Sequence, residues 1–206
     1  MRPTEPIPSA VLLETAAELF ATHGYAATSM RKLAGALSIT PAALYHHYPS
    51  KDALYDAVMQ ATFRAPAEPM AALLAAPGPD DHKLRALIGL GAQMIETHPV
   101  GVRLLRRELM ENDPSRLHRL LDENFNTPIN LMIGFIGDMF PGHDPIIVTG
   151  AIGSLLLGFY ELRPIHKSVT GGAASPPSPD QVTETVFTLV TNGFPTKKFQ
   201  QKASRT

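Results

Sequence analysis

Four side chains close together in the sequence, Tyr45, His46, His47 and Lys51, hold its most suggestive chemistry. A phenol and imidazoles hydrogen-bond or stack, and a lysine brings a charge with three N–H donors. No catalytic constellation accompanies them. His46 and His47 are adjacent, so on a helix they point in different directions. His82, His98, His118, His143 and His166 are scattered without H-x₃-H or HExxH spacing, which leaves solvated loop or cap histidines as the plainer reading and no metal site. GxSxG, P-loop and dinucleotide glycine patterns are missing, and "GLGAQ" at 89–93 lacks a preceding strand and a third glycine. No cofactor is expected, and the chain does not read as an enzyme.

The elements that must position these groups are two short helices. Thr40 can cap a helix with Pro41 in its first position, where no N–H is needed. Leu44 and Tyr48 share a buried face, and Pro41, Ala42, Tyr45 and His46 fall on the other. Pro49 stops the helix, and Ser50 caps the next one, with Lys51 in its first turn. Upstream, Thr28 or Ser29 caps a helix carrying Met30, Leu33, Ala34 and Leu37 at helical spacing. The tight turn at Ser38-Ile39 makes the pair a helix-turn-helix, whose second helix can enter the DNA major groove. Small Ala42 and Ala43 allow close approach to thymine methyls, and Arg31 is the nearby side chain able to grip a guanine bidentately.

Helix-turn-helix plus "LYHHYPSK", preceded by "AAELFATHGYAATSMRKLA", resembles the DNA-binding domain of TetR-type transcriptional regulators. The match runs without a gap from about Val11 to Leu54. It departs at the turn, where glycine is usual and this chain has Ser38, a residue that can join a turn through its hydroxyl. The resemblance implies that Pro41, Ala42 and Ala43 approach base edges and that Tyr45, His47 and Lys51 contact phosphates. With the helix N-termini at Ser29 and Thr40, and with Arg31 and His46, these make the expected DNA-binding set. Packing is the plainer role for Tyr45, His46 and His47, above all for His46. "LLRRELMENDPSRLHRLLDENFNTPI" resembles, loosely, the C-terminal domains of CecR-like members of the same family.

Composition bounds the rest. The 206 residues are 44% hydrophobic, contain no cysteine and carry a net charge of −1. Disulfide and thiol chemistry are excluded. Within the first 64 residues Arg2, Arg31, Lys32, Lys51 and Arg64 balance Glu5, Glu14, Glu18, Asp52 and Asp56, so a few placed contacts rather than bulk charge must serve DNA. The apolar run from Ala151 to Tyr160 is broken by Gly153, Ser154 and Gly158 and is too short to span a bilayer, and no apolar signal core opens the chain. A cytoplasmic protein without a membrane partner is expected.

Periodicity gives an all-α fold of about nine helices. A loose arm over residues 1–8 precedes helix one, from Ser9 to about His23, with Gly24 as an αL cap. A fourth helix runs from Lys51 to Phe63, and the Ala- and Pro-rich 64–79 holds at most a short helix. Helices follow from Asp80 to Thr97 and from Pro99 to Met110. A long one from Pro114 to Ile136 is kinked at Pro128. A nearly all-apolar helix, 146–162, ends at Arg163-Pro164. A flexible linker, 171–179, leads to a last helix, 180–193, and a basic tail, "KKFQQKASRT". We expect a DNA-binding domain over 6–66, its helix-turn-helix at about 29–48, and a ligand-binding and dimerisation domain over 67–206.

Arg103 and Arg107 share a helix face, suited to an anionic ligand or to an acidic surface such as Asp122 and Glu123; a solvated or salt-bridged face is the plainer alternative. With Gln93, Asn126 and Tyr160, polar groups on apolar helices, they are the candidate ligand residues. Helices 146–162 and 180–193 bear more apolar surface than the body easily hides. The resemblance implies a homodimer through them, with Gly150, Gly153, Ser154 and Gly158 allowing close approach; burial in the chain's own core is the alternative. Two recognition helices one DNA turn apart read a palindrome in double-stranded DNA. The expected function is a dimeric repressor released from such an operator by a small-molecule inducer of unknown identity. The alternatives are an activator, a regulator answering to a protein, or a helical ligand carrier or enzyme whose helix-turn-helix is unused.

Overall fold

The computed structural model of the chain describes residues 7–111, 113–122, 126–173 and 175–193, without the side chains of 64–68 and 126–128. Within these it is all-α. The described residues form eleven α-helices rather than about nine: α1 (Ser9–His23), α2 (Met30–Ala36), α3 (Pro41–His47), α4 (Lys51–Ala75), α5 (Asp80–Thr97), α6 (Pro99–Glu111), α7 (Pro114–Leu120), α8 (Asn126–Met139), α9 (Pro145–Glu161), α10 (Arg163–Val169) and α11 (Pro179–Gly193). The expected basic tail, and all but the end of the expected N-terminal arm, lie outside the described residues.

The differences from expectation come from proline and glycine. α4 does not stop at Phe63 but runs on to Ala75 through Pro66 and Pro69. Alanine and leucine are strong helix formers, and that propensity outlasts the backbone bonds the prolines remove. The long helix expected from Pro114 is two helices, and Pro128 stands in the first turn of α8, where its missing N–H costs nothing. The helix expected over 146–162 does end before Arg163-Pro164, and Pro164 then stands in the first turn of a further helix, α10, that was not expected. Gly24 follows α1 with φ 81° and ψ 168°, an extended left-side conformation open essentially to glycine alone, not the αL cap expected.

Two compact units divide the chain, Met1–Ala67 with His98–Asn126, and Glu68–Thr97 with Thr127–Thr206. In the first, Leu12, Ala16 and Phe20 of α1, Leu33 of α2, Leu44 of α3, Leu54 and Val58 of α4 and Leu104 of α6 are buried in one core. Each of these leucine, valine and phenylalanine side chains contributes about 1.5–3 kcal/mol relative to exposure. Seven-residue helices such as α2 and α3 are unstable alone in water, so Leu33 and Leu44, both fully buried, tie them down. In the second unit α5, α9 and α11 pack together. Leu84, Ile88 and Ala92 of α5, Val148 and Ile152 of α9, and Val182, Val186 and Val190 of α11 fill its interior. A Cβ on Gly91 would lie 2.8 Å from Leu156, so glycine there sets how near α5 and α9 come. Among the described residues no single helix is long and apolar enough to cross a membrane.

Candidate nucleic-acid interface

Each end of the helix-turn-helix is fixed by its own residues. Ser29 caps α2 by accepting a hydrogen bond from Lys32 N at 3.2 Å, and Thr40 caps α3 by accepting from Ala43 N at 3.1 Å. Thr28, fully buried, does a different job: its hydroxyl donates to Gly24 O at 2.8 Å. The turn is a Schellman motif. Ser38 N donates to Gly35 O at 3.1 Å, and Ile39 N to Ala34 O at 3.0 Å. Ser38, with φ 56°, is the one non-glycine residue of positive φ among the described residues. Ile39 then packs on the core and turns the chain into α3. At its far end Tyr48 takes extended geometry, φ −134° and ψ 114°, as its place before Pro49 requires.

This leaves α3 with one free face. Pro41, Ala42, Tyr45, His46 and His47 are exposed, Ala43 is half-buried and Leu44 is sealed inside. Arg31 and Lys32 are exposed in the first turn of α2. The arrangement offers a smooth helix tip with small residues first and hydrogen-bonding rings behind, flanked by cations. That suits groove entry with phosphate contacts at the edges.

Lys51 is held in place. Its ammonium donates to Tyr25 O at 2.9 Å and lies 4.0 Å from the centroid of the Tyr25 ring. The Tyr25 hydroxyl donates to Asp52 at 2.6 Å, and Arg119 of α7 approaches Asp52 at 3.9 Å and Asp56 at 3.5 Å. The carboxylates next to Lys51 are thus partly neutralised by α7. Arg116 of α7 places its guanidinium carbon 4.6 Å from the Tyr25 centroid. The same guanidinium holds Glu108 at 3.3 Å, Glu111 at 2.7 Å and Asp113 at 3.2 Å. Tyr55 packs edge-on against Tyr25 and Phe20, with centroids 5.0 and 4.8 Å apart, and donates its hydroxyl to Glu108. Glu108 is only 1% exposed, a buried charge with its partners supplied.

The electrostatics follow from this packing. Burial first, then the Asp52 hydrogen bond and charge, push the Tyr25 phenol up to about 12. Burial and Glu108 raise Tyr55 further in the same direction. For Arg116, burial works to lower the pKa, and Glu108, Asp113 and Glu111 outweigh it. Sequence reasoning missed Glu108, Arg116 and Arg119 as neighbours of Lys51, because pairs more than fifty residues apart leave no periodic signal.

The expected ligand residues are dispersed. Arg103 pairs with Glu18 at 2.5 Å, and Arg107 donates to Ala21 O at 2.9 Å and to Thr22 O, so both serve the α1–α6 packing. Gln93 is exposed on α5. Tyr160 donates to Ala92 O at 2.7 Å, with Arg163 4.1 Å from its ring centroid. Asn126 opens α8. Among the described residues no group of three or more His, Asp or Glu is placed to hold a metal ion.

Comparison with known proteins agrees with the geometry. Residues 12–58 match the family described as bacterial regulatory proteins, tetR family. Over 49 residues the chain is 43% identical to the HTH-type transcriptional repressor KstR2 of Rhodococcus jostii (strain RHA1). That stretch is 24% of this chain and 24% of the relative, so the match spans about a quarter of the relative's length. The ketosteroid transcriptional regulator KstR2 of Mycobacterium tuberculosis has a similar fold, with a TM-score of 0.68 at 20% identity over 92% of this chain and 96% of that one. AibR, in its complex with isovaleryl coenzyme A and operator DNA, gives 0.67 at 19% identity, covering 87% and 96%.

Proposed function

We propose that the chain, whose residues 12–58 match the family described as bacterial regulatory proteins, tetR family, is a homodimeric transcriptional repressor released from a palindromic operator by a small-molecule inducer. The observation that carries this reading is the exposed face of α3, held on a capped, Schellman-turned pair of helices with Lys51 fixed beside it. The DNA-binding set is Ser29, Arg31, Thr40, Pro41, Ala42, Ala43, Tyr45, His46, His47 and Lys51. Functionally the chain divides into a DNA-binding domain over 6–66 and a ligand-binding and dimerisation domain over 67–206.

The dimer forms through α9 and α11. Ile146 and Ile147 are each 65% exposed and Leu189 is 51% exposed, and a Cβ at Gly150, Gly153 or Gly158 would meet nothing within 4 Å in the protomer. These glycines border open space among the described residues, which supports close approach of a partner helix. The inducer acts by preferring a state whose two heads are not spaced by one DNA turn, about 34–36 Å, which weakens DNA binding by linkage. The likeness to AibR puts acyl-coenzyme A thioesters first in the panel to be screened, with Gln93, Arg103, Arg107, Asn126 and Tyr160 as candidate contacts. A cytoplasmic location is part of this proposal, supported by the match to bacterial regulatory proteins.

The test is selection of bound duplexes from a random pool, followed by a salt titration of the best one. Recovery of a palindrome whose affinity falls as salt rises is the expected result. No enrichment from a folded, dimeric and ligand-free preparation would overturn the reading. Replacing Tyr45 and Lys51 by alanine weakens binding without loss of fold or dimer; unchanged affinity would overturn the assignment of those two residues.

A further inference from the structure

We infer that Arg116, acting through the Tyr25 ring, is a positioning residue for the Lys51 phosphate contact, so that α7 sets DNA affinity without touching DNA. The inference rests on the DNA-binding reading above and deepens it. One ring is approached by two cations from distant parts of the chain, Lys51 Nζ at 4.0 Å and the Arg116 guanidinium at 4.6 Å. The Lys51 ammonium spends one N–H on Tyr25 O and keeps others for a phosphate. A lysine otherwise carries large rotamer freedom, and fixing it in advance lowers the entropy lost on binding.

The ring is held by Tyr55 and Asp52 of α4 and by Arg116 of α7, which is itself held by Glu108 of α6. Tyr55 packs against it edge-on, and Glu108 accepts from both Tyr55 and Arg116. Arg116 is only 11% exposed and is held by three carboxylates, so its guanidinium has little freedom to leave the ring. Arg119 completes the arrangement by offsetting the charge of Asp52 and Asp56 beside Lys51. A rearrangement of α7 that withdraws Arg116 therefore removes one of the restraints on the Tyr25 ring, and through it on Lys51, while the Asp52 hydrogen bond and Tyr55 stay.

The test is a double-mutant cycle in the full-length dimer, read as operator affinity and as the slope of affinity against salt. Tyr25→Leu removes the ring and keeps the backbone carbonyl. Glu108→Gln combined with Arg116→Gln removes the Arg116 cation without stranding a buried charge, and is the variant to use should Tyr25→Leu not fold. Lys51→Ala is expected to weaken binding about tenfold, as for loss of a charged hydrogen bond. It should also flatten the salt slope by about 0.9 per lost phosphate contact. The two positioning variants should each weaken binding in the same direction and flatten the slope likewise. In the Lys51→Ala background they should add less than about twofold. Full additivity with Lys51→Ala, or an unchanged salt slope, would overturn the positioning role while leaving the phosphate contact intact. No effect of Lys51→Ala itself would overturn the contact, and the inference with it.

Discussion

Replacing Ser38 by glycine should stabilise the DNA-binding unit. Ser38 sits at the C′ position of the Schellman turn with φ 56°, where its Cβ crowds the backbone. The left-handed conformation costs a non-glycine residue about 1–2 kcal/mol. Glycine removes that cost and gives back about 0.4–1 kcal/mol through the greater freedom of its unfolded chain. The net gain is about 0.8 kcal/mol, roughly a fourfold shift in the folding equilibrium by the usual RT conversion. Ser38 is exposed, and the bonds that define the turn, Ser38 N to Gly35 O and Ile39 N to Ala34 O, are backbone bonds that glycine keeps. Urea unfolding followed by circular dichroism and by tyrosine fluorescence would report the change as a raised midpoint at constant slope. Operator affinity should stay within twofold, because α3 keeps its cap and its buried Leu44. A lowered midpoint would refute the reasoning, since it would mean that the serine is not strained there or that its hydroxyl holds the turn.

Gly24→Ala should act the other way: φ 81° with ψ 168° excludes a side chain, and the new Cβ would lie 2.5 Å from Glu111 Oε1. A loss of about 1–3 kcal/mol in the urea titration is expected. Removing Glu108 alone, as Glu108→Ala, leaves the buried Tyr55 hydroxyl without its acceptor and Arg116 with two of its three carboxylates, and should cost about 1–3 kcal/mol. The Glu108→Gln, Arg116→Gln pair should cost clearly less in the same assay. Alkaline pH should destabilise the fold through Tyr25. Its folded pKa is raised from 10.0 to about 12, so its contribution is complete below pH 10 and is lost as pH rises from there through about 12. Comparing urea midpoints over that range, Tyr25→Phe should lose less stability than the parent. For the proposed dimer, Gly153→Phe and Leu189→Glu should each raise the dissociation constant at least tenfold in sedimentation equilibrium, and a dimer unchanged by both would place the interface elsewhere.

The sequence by itself determined what rests on local chemistry. Thr40 with Pro41, Ser29 and Pro49 mark helix ends through caps and a missing donor, so α2 and α3 were legible with the face of α3 that stays exposed. Helical spacing placed Met30, Leu33, Ala34 and Leu37 on one buried face for the same reason: the period of a helix is a property of the chain segment. Prolines were read too strongly as breaks at Pro66 and Pro69, and Pro128, expected to kink one long helix, stands instead in the first turn of a second one, because position within a turn decides whether a missing N–H matters. Only the tertiary structure brought α7 to the Tyr25 ring. Asp52 and Arg119, or Tyr55 and Glu108, are ordinary charged and aromatic residues in the sequence, and their pairing depends on how α1, α4, α6 and α7 pack. Packing also decided that Arg103 and Arg107 grip α1, since which carboxylate or carbonyl a long side chain meets is set by contacts more than eighty residues apart.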